Sequence, residues 1–202
     1  MSMSSGAIAV RRFVSHEGAP PQTSIELCDL LKRHALSGPL MYSGVHERAG
    51  WVRQDNLFDT DFNPADCHQA PYLLWAFRLD KKEMPPEILK AMIEVRCREM
   101  MTMHNIRGVP AHLRQEIRED VLEENLQDVL PKVKRIDVAW NLQTGVFYVF
   151  STSNAVVESV IRLMALTFDL IFTELGSGYL SGYQHEERHP ALSKLEPITW
   201  ED

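Results

Sequence analysis

The chain is short of several features that would announce a chemistry. Its three cysteines, Cys28, Cys67 and Cys97, share no metal-type spacing and cannot all pair, which fits a reducing cytoplasm. Neither a GxGxxG nor a GxxxxGK[ST] loop occurs, so the usual phosphate-cradling turns are missing. The aspartates Asp59, Asp61 and Asp66 lie in an Asp-, Asn- and Pro-rich stretch without the EF-hand pattern and read as a solvated loop. Ser151-Thr152-Ser153 lies between a strand-like and a helix-like run, but GxSxG is absent; Ser153 reads as a helix cap. No apolar run approaches the ~20 residues of a membrane span. The N-terminal MSMSSGAIAVRRFV, with two arginines after a short apolar core, does not read as a signal peptide.

What is present is an ordinary globular composition, 45% hydrophobic and 24% charged, in 202 residues with a net charge of −7. That balance opposes attraction of the whole surface to an anionic partner, so any such contact must be local. The charge is unevenly spread. Residues 78 to 135 hold twelve of the 21 Lys and Arg against eleven acids, a net +1; the remainder holds nine bases and seventeen acids, a net −8.

Hydrophobic periodicity predicts a strand over Ala7 to Val14 and a helix from about Ser24 to Leu36 capped by Thr23 or Ser24. A short strand at Gly50-Trp51-Val52, a loop over 54 to 70 and a strand from Tyr72 to Leu79 follow. Pro85 and Pro86 open a helix, and a second helix carries Leu113, Ile117, Val121, Leu122, Leu126, Val129 and Leu130. Two strands, Val133 to Trp140 and Val146 to Phe150, flank a hairpin loop whose Gly145 supplies a positive φ. A helix over Asn154 to Leu166 and a strand over Asp169 to Thr173 complete the pattern. This order predicts an α+β fold of mainly antiparallel sheets with flanking helices. It is expected as one domain over 1–174, with sub-halves of about 1–105 and 110–174, and a loop-like tail over 175–202.

The bases of the middle region divide by position. Lys90, Glu94 and Arg98 are spaced to satisfy one another along a helix. Arg114 and Arg118, four apart, face the same way and repel unless an anion lies between them. Arg107 lies in the interhelical linker, Lys81 and Lys82 end a strand, and Lys132, Lys134 and Arg135 begin the next. Aromatics are scarce here, so base stacking is not expected and any nucleic-acid contact would be to phosphates. The one enzyme-like string is His185-Glu186-Glu187-Arg188-His189, a literal HExxH. Pro190 disfavours helical geometry at His189, so no zinc and no other cofactor is expected there.

Several of these runs, in this order, resemble the RdgC family of recombination-associated proteins over roughly residues 5 to 172. The carriers are Gly50-Trp51-Val52, Phe77-Arg78-Leu79-Asp80-Lys81 closing on Pro85, and LRQEIREDVLEENLQDVLP ending at Leu130-Pro131. A hairpin, Ser151-Thr152-Ser153 and a helix with Glu158 follow. The resemblance implies a non-enzymatic, sequence-independent binder of double-stranded DNA, cytoplasmic and nucleoid-associated, that forms homodimeric rings and restrains RecA-promoted recombination. The exonuclease label given to some members finds no metal-binding carboxylate cluster here. The family's chains are longer, and the region that helps close their ring is replaced by a short tail. On this reading Lys81, Lys82, Arg107, Arg114, Arg118, Lys132, Lys134 and Arg135 contact DNA phosphates. The alternatives are a protein-interaction or assembly module without DNA binding, and a zinc hydrolase using His185 and His189.

Overall fold

The computed structural model describes residues 9–15, 23–38 and 46–176. Among the described residues, seven strands form one antiparallel sheet, and there are five helices. In chain order the elements are β1 (Arg11–Ser15), α1 (Ser24–Arg33), β2 (Glu47–Val52), α2 (Pro64–Cys67), β3 (His68–Gln69) and β4 (Tyr72–Lys81). They continue with α3 (Pro86–His104), α4 (Ala111–Asn125), β5 (Lys132–Asn141), β6 (Val146–Val149), α5 (Asn154–Phe168) and β7 (Phe172–Glu174). The strand order is β2-β4-β5-β6-β1-β7, with β3 paired to β4. The expected class therefore holds. The expected 54–70 loop contains two short elements, α2 and β3, and the second helix ends at Asn125 rather than near Leu130. There the Asn125 side chain turns back to donate to the Val121 carbonyl at 2.7 Å. The 175–202 tail, apart from Leu175 and Gly176, and the start of the N-terminal strand lie outside the described residues.

Contacts divide the chain into two compact units that do not follow it in sequence. One takes in the described residues up to Ser37, Gly50–Phe77 and the chain from Arg135; the other takes in Gly38–Ala49 and Arg78–Lys134.

The first unit has an aromatic core. Trp51, Trp75, Trp140 and Phe147 are fully buried, and each Trp or Phe removes roughly 150–250 Å² from water. Trp140 meets Phe168 and Phe172 edge-on at 5.2 and 6.0 Å, and Trp51 meets Trp75 at 6.0 Å. A buried indole N–H needs an acceptor; Trp51 Nε1 finds Thr167 Oγ1 at 2.7 Å, which in turn donates to the Leu163 carbonyl. Helix α5 turns Val156, Val157, Val160 and Met164 inward. Ser153 stands at its N-cap without the expected side-chain hydrogen bond; instead its own N–H donates to Ser151 Oγ at 3.2 Å. Thr23 does cap α1, its hydroxyl accepting from the Glu26 N–H at 3.1 Å. The β5–β6 loop forms as expected, with Asn141 Oδ1 accepting from the Gln143 and Thr144 N–H groups and Gly145 at φ +70.

The second unit is built on α3 and α4. Leu89, Ile93, Cys97, Ile117 and Val121 are buried between them, with Met84, Met92, Met100, Val109 and Leu122 packed around. Helix α3 ends where Asn105 takes the left-handed conformation at φ 51 and its N–H reaches the Met101 carbonyl.

Among the described glycines, Gly50 has the closest neighbours. A Cβ there would lie 2.7 Å from Leu36 Cβ and 2.8 Å from the His34 carbonyl oxygen. Overpacking of this kind costs about 1–3 kcal/mol. Gly50→Ala is expected to lose that much stability in urea unfolding, seen as a lower midpoint with an unchanged slope; an unchanged midpoint would show that the strand yields freely.

Candidate nucleic-acid interface

Most of the expected cations on strands or at strand ends are engaged by partners within the chain. Arg78 and Asp80, on the same face of β4, are both 0% exposed. Arg78 Nε and Nη2 donate to the two Asp80 carboxylate oxygens at 2.7 and 2.6 Å, a bidentate pair. Arg48 adds a second guanidinium 3.5 Å from Asp80 and donates to the Gly38 carbonyl at 2.6 Å. Lys82 lies two residues on from Asp80. It is 4% exposed, and its ammonium donates to the Gln127 carbonyl at 2.7 Å. Lys81, on the opposite face, lies 3.5 Å from Glu47 and 3.4 Å from Glu83. Glu83 also meets Lys132 at 4.0 Å. In the first unit Arg135 donates to the Gln54 carbonyl at 2.8 Å and lies 3.4 Å from Asp137. Of the expected phosphate-binding residues, Lys81, Lys82, Lys132 and Arg135 thus already have partners within the chain. Lys82, just past the end of β4, has no surface to offer: it is buried and its ammonium is held by the Gln127 carbonyl.

The helix-borne cations are arranged differently. Arg114 and Arg118 on α4 line one groove of about 320 Å³ with Pro86, Leu89, Lys90 and Ile93 of α3. No carboxylate belongs to that lining. Arg114, Arg118 and Lys90 are exposed, and among the described residues none of the three has an ion pair. The spacing that predicted Lys90 as satisfied by Glu94 is superseded: Glu94 meets Arg98 at 3.8 Å, and Lys90 joins the groove. Arg107 and Lys134 are exposed but stand outside this lining. The groove therefore gathers three positive charges over an apolar floor. Such a site can bind an oxyanion through charge-assisted hydrogen bonds, with arginine able to grip two oxygens at once.

The other side of the α3–α4 seam has the opposite sign. Arg96, Glu99, Asp120 and Glu124 line a cavity of about 210 Å³ with Met100, Met103 and His104. Arg96 is held by Glu124 at 2.6 Å, so the net charge there is negative.

His185 and His189 lie outside the described residues. Within them, no group of three or more His, Cys, Asp and Glu could hold a metal ion. The Asp-rich loop closes around a guanidinium: Arg53 reaches Asp55 and Asp66 at 2.8 Å and Asp59 at 3.5 Å. Its hydrogen bonds hold the Asp55 carboxyl below the usual carboxylate range. No described helix is long and apolar enough to cross a membrane. No protein-family model and no curated protein matches the chain.

Removing one member of a buried pair strands the other charge and costs about 3–5 kcal/mol. Asp80→Ala is expected to lose that much stability, whereas Lys81→Ala, in an exposed pair, should change it by less than about 0.5 kcal/mol. Urea unfolding of both variants checks this; equal losses would mean that the Arg78–Asp80 pair has no special weight.

Proposed function

We propose that the chain is a non-enzymatic, RdgC-like protein that binds double-stranded DNA without regard to sequence, through its phosphates. The observation that carries this reading is the grouping of Lys90, Arg114 and Arg118 around one groove without a facing carboxylate. In a protein of net charge −7, three bases kept clear of acids are a local exception, and an anionic partner accounts for it. The groove offers no aromatic ring for stacking, which favours backbone over base contact.

The test is a duplex titration at two salt concentrations. Affinity is expected to be equal for unrelated sequences and to fall steeply with salt as counterions are released. Arg114→Ala with Arg118→Ala should weaken every duplex alike and lower the salt slope by about 1 for each arginine removed from a phosphate. Lys81→Ala with Lys132→Ala should leave both quantities unchanged. Equal weakening by the two double variants would replace the groove with a diffuse field. No binding by the unaltered protein at low salt would remove the reading.

A second reading, a protein-interaction or assembly module, is favoured by exposed apolar side chains on α3: Met103 is 79% exposed and Val95 51%. Self-association belongs to both readings. Strand β6 buries Phe147 and Val149, while Tyr148 and Phe150 line an open cavity of about 490 Å³ with Val10, Tyr72, Leu74 and Ala139. A second chain would cover that apolar face. Sedimentation at micromolar concentration is expected to show a species heavier than one chain, and a single-chain species alone would contradict it.

A further inference from the structure

Two of the three cysteines lie on packed helices of the first unit, whereas the cationic groove belongs to the second. Cys28 lies on α1 and Cys67 closes α2, and these helices pack on each other. Both side chains are buried on these packed helices, and each thiol influences the ionisation of the other. Cys67 also lines a cavity of about 270 Å³, partly open to solvent, with Arg53, Asp66, Gln69 and Leu74. That is ample room for a molecule of hydrogen peroxide's size, since a water occupies about 30 Å³ in the liquid. The third cysteine, Cys97, is buried in the α3–α4 core of the other unit.

We propose that Cys28 and Cys67 form a peroxide-oxidisable dithiol, a modification site that converts to an intrachain disulfide tying α1 to α2. The Cys67 thiolate, facing the cavity, attacks one oxygen of hydrogen peroxide; the O–O bond breaks, Cys67 becomes a sulfenic acid and hydroxide leaves. The Cys28 sulfur then attacks the sulfenic sulfur. The S–S bond forms, the S–O bond breaks, and the Cys28 proton leaves with the departing hydroxyl as water. In sum two thiols lose two electrons and two protons, and one peroxide becomes two waters. Because both thiols sit on packed helices of one chain, the second step is intramolecular, so the sulfenic acid has a partner before a second peroxide arrives.

The reaction is slow at neutral pH. Burial pushes the Cys67 thiol up to about 12 and raises that of Cys28, so little thiolate is present. Lys32 and Arg53 face the pair as cations that favour thiolate; Asp29 and Asp66 oppose it.

The full chain is incubated with hydrogen peroxide for hours, unfolded in acid, and assayed for free thiols, intact mass and peptide linkage. Thiols are expected to fall from three to one. The mass should drop by two hydrogens, a linked peptide should join Cys28 to Cys67, and dithiothreitol should restore all three thiols. Cys28→Ser, checked for native circular dichroism, should instead accumulate a dimedone-reactive sulfenic acid on Cys67 and form no intrachain disulfide. Persistence of three thiols, oxidation confined to a single sulfinic acid, or consumption of Cys97 in place of the pair would overturn the proposal. If the Cys28→Ser variant does not fold, the linkage map of the unaltered chain decides alone.

Discussion

The distribution of charge in this protein depends on the buried ion pair of β4. A guanidinium and a carboxylate taken out of water each cost several kcal/mol unless they are hydrogen-bonded to one another. Arg78 and Asp80 meet that condition by lying two residues apart, on one face of the strand, with two short hydrogen bonds. Their neighbours follow the same rule. Arg48 leans on Asp80, Lys82 finds a carbonyl, and Lys81 and Lys132 share Glu83. Most of the bases around these strands are thus held within the chain, whereas Arg114, Arg118 and Lys90 of the helices stand around the α3–α4 groove.

This separation gives the hairpin two unlike sides. One side of the α3–α4 seam is cationic, and the other, with Glu99, Asp120 and Glu124, is anionic. At about 0.1 M salt the Debye length is about 10 Å, so neither side is felt far from the surface. A duplex approaching an acidic protein would therefore be held only where phosphates reach the groove itself. Such a partner would be gripped by backbone charge, and the apolar floor of Leu89 and Ile93 would exclude water beneath it.

Much of the fold was legible from sequence, because long periodic segments declare themselves. The buried stripes of α3 and, as far as Val121, of α4, the Pro85-Pro86 opening and the Asn141–Gly145 turn appear where periodicity and turn chemistry put them, whereas Leu130 lies beyond the end of α4 and is exposed. Two elements were missed: α2 has four residues and β3 has two, too short for any period to show. The site was less legible. Helical spacing sets Lys90 and Arg98 alike four residues from Glu94, but it cannot tell which of them takes the carboxylate or that a second helix brings two arginines alongside. Lys82 looked like a second surface lysine beside Lys81. No periodicity separates the two, because Lys82 lies past the end of β4 and is buried where its ammonium meets the Gln127 carbonyl. That Cys28 and Cys67 lie on packed helices had no signal in spacing, because it depends on α2, an element the sequence does not announce.

The groove can be probed directly by lysine acetylation footprinting of the unaltered protein with and without duplex DNA at low salt. Lys90 is expected to be protected by duplex, while Lys81 and Lys132, already beside Glu83, react at the same rate in both states. Protection of Lys81 and Lys132 with Lys90 unchanged would contradict the account and move the DNA from the α3–α4 groove to the strand ends.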